Sequence, residues 1–184
     1  MQSVVSALPD PFEQQALELW ELLEARFGTR RARTSLLPHM TWQVGVGPYD
    51  LQKVLPLIDE ISRNLQPIPT KVIGVRDFPG ESTVIYLRVL KNNHLKSLHA
   101  YLWKLITPWL HEPSLLYSPH NWVPHIAMVW GDLETERKFE AMRFLDEKDV
   151  NWLIPIDNFV ILDHQSNQTA TCEYRFQFGK GMLK

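Results

Sequence analysis

Pro38-His39-Met40-Thr41-Trp42-Gln43-Val44-Gly45 returns 86 residues later as Pro124-His125-Ile126-Ala127-Met128-Val129-Trp130-Gly131, with proline, histidine and glycine in the same places. The spacing holds beyond the motifs without a gap: Ile68-Pro69 meets Ile154-Pro155, and Asp77 meets Asp163. An internal duplication of this length places one histidine in each half, related by an approximate two-fold axis. Two histidines facing each other across a cleft are the minimum for acid–base chemistry at neutral pH, where imidazole readily exchanges a proton.

Both motifs read as strands, the first from Leu36 to Val46. Alternation along a strand sets His39, Thr41 and Gln43 on one face and Met40, Trp42 and Val44 on the other. In the second motif His125, Ala127 and Val129 oppose Ile126, Met128 and Trp130. The set without the histidine is bulky and apolar in both strands and belongs in a core, which turns the histidines toward a cleft.

Outward from the motifs, Ser3–Ala7 reads as a strand. Asp10-Pro11-Phe12-Glu13 reads as a helix start, with Asp10 as cap and Glu13 closing a capping box. Ala16, Trp20, Leu23 and Phe27 give that helix one buried face up to Gly28. Arg30, Arg31 and Arg33 form a basic loop, read either as a solvated loop or as a phosphate-steering rim. A second helix is expected over Asp50–Asn64, starting late or kinked at Pro56. Lys71–Asp77 and Ser82–Leu90 read as a hairpin around Phe78-Pro79-Gly80-Glu81. Helices over Asn93–Trp109 and Glu134–Glu147 flank the second motif, and Ile156–Leu162 and Thr171–Phe178 close with another hairpin. Residues 1–184 thus read as a single bilobal α+β domain: duplicated lobes related by a pseudo-two-fold, with antiparallel sheets lining a central cleft and helices outside.

Composition bounds the function. With 184 residues, 45% of them hydrophobic, seven Trp and eight Phe, the chain can bury a substantial core. A net charge of −2 provides no overall basic field for long nucleic acid, so an RNA partner would be a short end or a nucleotide-sized piece. One cysteine, Cys172, excludes an intramolecular disulfide, fits a reducing compartment and reads as a small apolar strand residue. Met1 to Pro9 has neither a basic n-region nor a long apolar run, so no signal peptide is expected; nor is a membrane span or an obligate protein partner. The expected location is the cytoplasm.

Paired His-x-Thr-type motifs on duplicated lobes resemble the two-histidine (2H) phosphoesterase superfamily, which includes bacterial 2′-5′ RNA ligases and cyclic phosphodiesterases. The resemblance implies a metal-independent phosphodiesterase or 2′-5′ RNA ligase acting on 2′,3′-cyclic phosphate RNA ends or small cyclic nucleotides. It implies His39 and His125 as the catalytic pair, one imidazole taking a proton while the other protonates the leaving oxygen. It also implies Thr41 as a donor to a phosphoryl oxygen, and no cofactor. Ala127 stands where the family carries threonine or serine and offers no donor. A hydrogen bond to a charged group is worth roughly 1.5–3 kcal/mol, enough for about 10- to 100-fold in transition-state binding. Candidate substitutes are Tyr117, Ser118, His120 and Asn121 upstream, or Arg88 or Arg175 across the cleft.

Tyr117 and Trp122, in the loop before the second motif, are read as substrate contacts on which a base could stack, against the alternative of capping the core. His94 and His99 read as surface or boundary positions, and no Cys pair or His-Glu-x-x-His pattern supports a metal site. The reading opposed to an enzyme is a nucleotide or RNA-end binding module of the same fold, weakened catalytically by Ala127.

Overall fold

The computed structural model describes residues 1–35, 37–164 and 170–183. Leu36, where the sequence reading starts the first motif strand, lies outside them. In chain order the elements are β1 (Gln2–Ala7), α1 (Phe12–Phe27), β2 (His39–Gly45), α2 (Leu51–Asn64), β3 (Ile68–Phe78), β4 (Val84–Val89), α3 (Asn93–Ile106), β5 (His125–Trp130), α4 (Lys138–Asp146), β6 (Asn151–Ile156), β7 (Asn158–Asp163), β8 (Thr171–Gln177) and β9 (Gly181–Met182).

Local chemistry corrects two expectations about helix starts and explains a third feature. Asp10 does not cap α1: Pro11 holds the cap position without a side-chain bond. The first orphan donors are met instead by Pro9, whose carbonyl accepts from Phe12 N at 2.9 Å and Glu13 N at 3.1 Å. Gly28, left-handed at φ 77°, ends the helix. Pro56 does not delay α2, which runs through it from Leu51. Pro56 is exposed, so the carbonyl its missing N–H leaves unbonded faces water. A side-chain cap appears at α3, where Asn92 accepts from Leu95 N at 2.8 Å.

The strands form one antiparallel array in the order β6-β3-β4-β5-β2-β1-β7-β8-β9. Its centre is narrow: β2 and β5 meet through one residue pair, Met40 with Ile126. On one side of this seam lie β5, β4, β3 and β6; on the other lie β2, β1, β7, β8 and β9. Helices α2 and α3 cover the first-motif side and α1 and α4 the second-motif side. Strand β6, absent from the sequence reading, lines the edge by pairing with β3 from Ile68–Ile156 to Ile73–Asn151.

Register relates the two sides closely. Along β1, Val4 pairs with Gln43 and Val5 with Thr41, so Trp42 is an extra residue in β2. Along β4, Ile85 pairs with Val129 and Tyr86 with Ala127, so Met128 is an extra residue in β5. Both bulges therefore fall at positions 86 residues apart. A bulge breaks the alternation of faces. Gln43, expected beside His39 and Thr41, is instead buried and bonded to Thr107 Oγ1 at 2.6 Å and the Tyr49 hydroxyl at 3.0 Å. Val129 is likewise buried rather than facing the cleft.

Met40, Trp42, Ile126 and Met128 enter a continuous core with Val4, Leu23, Ile58, Ile85 and Phe159. His99 corrects the surface expectation: at 2% exposure it lies in this core, its ring stacked on Trp122 at 3.9 Å. Cys172, read as a small apolar strand residue, lies in β8 and is exposed there.

Candidate active site

His39 opens β2 and His125 opens β5, on the two strands that meet at the seam. Each sits one residue before the Met40–Ile126 pair. Continuing that antiparallel register by one residue sets Thr41 toward His125 and Ala127 toward His39, on the face opposite the buried Met40 and Ile126.

The two imidazoles are held in the same way. Nδ1 of His39 bonds the Leu37 carbonyl at 2.8 Å, and Nδ1 of His125 bonds the Val123 carbonyl at 2.7 Å. A carbonyl only accepts, so each Nδ1 carries the proton and each Nε2 is the unprotonated nitrogen of the neutral ring. Pro38 and Pro124 stand between each histidine and its carbonyl, and their fixed φ limits the chain that presents it.

Electrostatics favours neutral rings. Burial lowers the pKa of His39 to about 4, aided by the nearby His164 and His125 and opposed by the Leu37 bond. Burial also lowers that of His125, against the Val123 bond. His164, at the end of β7, bonds Ser3 Oγ through Nε2 at 2.8 Å and is a third imidazole near the site.

Aromatic rings support the second histidine. Phe78 meets His125 edge-on at 4.9 Å and Tyr86 at 5.2 Å, while Phe78 and Tyr86 stack at 4.4 Å. Arg88 pairs across β4 and β5 with His125, and Arg76 pairs across β3 and β4 with Tyr86. Residues directly opposite in an antiparallel ladder share a face, so both arginines lie on the cleft side. Arg175 does not serve here: it is three strands from Thr41, through Val160 and Val5, or about 14 Å.

The remaining expected contacts divide. Tyr117 is half-buried with its phenol near enough to the Thr41 side chain to be acted on by it, so these two are brought together. Trp122 is corrected: at 2% exposure it is packed against His99, at 3.9 Å, and Trp42, at 5.4 Å. A ring so buried is not open to a base. Its indole N–H donates to the Thr41 carbonyl at 2.9 Å. On the second-motif side the Trp20 indole donates to the Ala127 carbonyl at 3.0 Å. Both tryptophans thereby satisfy a backbone acceptor beside a bulge.

The basic loop is largely neutralised by its own helix. Arg30 pairs with Glu24 at 2.9 Å, Arg33 pairs with Glu24 at 2.6 Å, and Arg31 lies over the Trp130 ring at 4.7 Å. Among the described residues, no group of three or more metal-ligating side chains is found, and no helix is long and apolar enough to cross a membrane.

Tyr86, Phe78, Arg76 and His164 escaped the sequence reading. The Asp77–Asp163 match was the available signal for two of them, since Phe78 and His164 are the next residues along and stand near His125 and His39 respectively.

Comparison with known proteins agrees with this layout. The profile of the 2′-5′ RNA ligase superfamily matches residues 8–168. The crystal structure of TT0787 of Thermus thermophilus superposes with a TM-score of 0.65 at 16% identity, covering 97% of each chain, which shows a shared fold. Among curated proteins, none matches this chain.

Proposed function

The chain belongs to the 2′-5′ RNA ligase superfamily, and on that premise we propose that it is a metal-independent cyclic phosphodiesterase acting on 2′,3′-cyclic phosphate RNA ends or small cyclic nucleotides. The observation that carries the reading is the matched pair of Nδ1–carbonyl bonds at His39 and His125, which leaves two Nε2 atoms to do proton transfer.

The chemistry follows from the rings. His39, with its pKa lowered to about 4, is neutral and serves as the base. Its Nε2 takes a proton from water as the water oxygen attacks phosphorus. The bond from phosphorus to the 3′-oxygen breaks, and His125, entering protonated, gives its Nε2 proton to that oxygen. The product is a 2′-phosphate, and solvent exchange resets both rings. With a 5′-hydroxyl in place of the attacking water, the same displacement of the 3′-oxygen forms a 2′-5′ linkage, which is the ligation. Thr41, linked to Tyr117, is the phosphoryl donor from the first motif.

An internal duplication accounts for the register. Under a shift of 86, the pair Ile68–Ile156 maps onto Thr70–Ile154, and Met40–Ile126 maps onto itself. We therefore treat residues 1–184 as one bilobal unit with a symmetric cleft. The lone exposed thiol of Cys172 suits a reducing compartment, consistent with the cytoplasm.

The test is turnover of a panel of 2′,3′-cyclic nucleotides and cyclic-phosphate oligoribonucleotides in EDTA, beside His39→Ala and His125→Ala. Product from the wild type alone supports the reading. Phosphate-dependent binding without product would favour a binding module instead.

A further inference from the structure

The second motif lacks the hydroxyl of the first, and the sheet register shows where one stands instead. Tyr86 on β4 is the direct cross-strand partner of Ala127 on β5. Directly opposite side chains share a face with Cβ atoms about 5 Å apart, and the alanine leaves the space in front of its neighbour open. We propose that the Tyr86 phenol donates to the substrate's phosphoryl oxygen in place of the hydroxyl that Ala127 lacks. The proposal rests on the cleft being a phosphodiester site.

Four observations converge. At the corresponding place across the seam, Thr41 is paired with Val5, so the first-motif ladder has its hydroxyl on β2 and an apolar partner on β1. The second-motif ladder has the reverse arrangement, an apolar residue on β5 and the hydroxyl on β4. The Tyr86 ring is fixed rather than loose, stacked on Phe78 at 4.4 Å and edge-on to His125 at 5.2 Å. It also stands beside the imidazole of the second motif on the cleft side of the sheet.

Charge at the spot suits an anion. Arg76 is paired with Tyr86 across β3 and β4, Arg88 is paired with His125, and both arginines act electrostatically on the phenol. Burial raises the phenol's pKa above its ordinary 10, with Asp77 acting in the same direction, so the group stays protonated and able to donate. The ring is 7% exposed, which limits competition from water. Arg88 is exposed by comparison, a steering charge rather than a fixed donor.

The experiment compares wild type, Tyr86→Phe, Ala127→Thr and the double variant Tyr86→Phe/Ala127→Thr, with circular dichroism to check the fold. Phenylalanine keeps both ring contacts and removes only the hydroxyl. Two readouts are taken: kcat/KM on a 2′,3′-cyclic nucleotide, and the Kd of a nucleoside 2′-monophosphate. Tyr86→Phe is expected to lower kcat/KM about 10- to 100-fold and to weaken the Kd, and the added threonine is expected to recover part of the loss. If the wild type binds the monophosphate but turns nothing over, the proposed activity fails while a weakened Kd in Tyr86→Phe still supports the assignment. Unchanged kcat/KM and Kd in Tyr86→Phe would overturn it, as would a wild type that neither binds nor turns over.

Discussion

The Trp20 indole N–H donates to the carbonyl of Ala127 at 3.0 Å, tying α1 to the residue just ahead of the β5 bulge. Trp122 makes the matching bond to Thr41 from a loop rather than a helix. Each motif strand is thus held in its irregular shape by a tryptophan far from it in sequence.

Trp20→Phe is expected to destabilise the fold by about 1 kcal/mol, the cost of leaving a partly buried carbonyl without its donor. Trp122→Phe should cost more, because the indole also stacks on His99 at 3.9 Å. Urea unfolding at neutral pH measures both. Wild-type midpoints in either variant would show that the indole bonds contribute little.

The pH dependence of turnover follows from the depressed imidazoles. In the free enzyme His39 must be neutral and His125 protonated. His39 titrates near pH 4 and His125 below its ordinary 6.5. A bell-shaped kcat/KM profile is expected, with its maximum on the acid side of pH 6.5. Bound phosphate raises both groups, so the profile of kcat should lie at higher pH. A kcat/KM maximum above pH 7.5 would count against these protonation states.

Stability should also depend on pH through His39. Its folded pKa, about 4, lies below the unfolded value of 6.5, so the unfolded chain binds more protons between those limits. The contribution is fully present above pH 6.5 and is lost as pH falls toward 4. At about 1.4 kcal/mol per pKa unit it is at most about 3.5 kcal/mol. His39→Gln should therefore lose less stability than the wild type between pH 7 and pH 5 in denaturant titrations. Parallel losses would contradict this origin.

Gly45 and Gly131 match in the repeat yet are needed for different reasons. A Cβ on Gly45 would lie 2.6 Å from Leu110 Cγ, whereas Gly131 has φ 71° and its nearest neighbour, an Arg31 nitrogen, is 3.4 Å from such an atom. Gly131→Asn should thus be tolerated better than Gly131→Val, since asparagine enters the left-handed region more readily. At Gly45 both substitutions should lower Tm by similar amounts. An equal loss for Asn and Val at position 131 would refute the conformational explanation.

The gapless repeat made the α+β class and the two histidine-bearing strands legible from residues alone. What escaped it depends on pairing between strands. A bulge exists only relative to a partner with one residue fewer, so alternation in Gln43 and Val129 pointed to the wrong face. Tyr86 could not be matched to Ala127 without that same register. Trp122 has the composition of a stacking loop, and only its indole bond to Thr41 and its contact with His99 mark it as core. β6, with Pro155 in a short run, resembles a connector until its pairing with β3 is seen.

Only Asp157 separates β6 from β7, yet these strands lie on opposite sides of the seam. The β3–β6 side is one uninterrupted stretch of chain, while β1 and β2 must wait for β7 to pair with β1. On a ribosome the second-motif side can therefore finish while the first remains open. The His39 strand, made early, would reach its final surroundings only when β7, more than a hundred residues further along, has emerged.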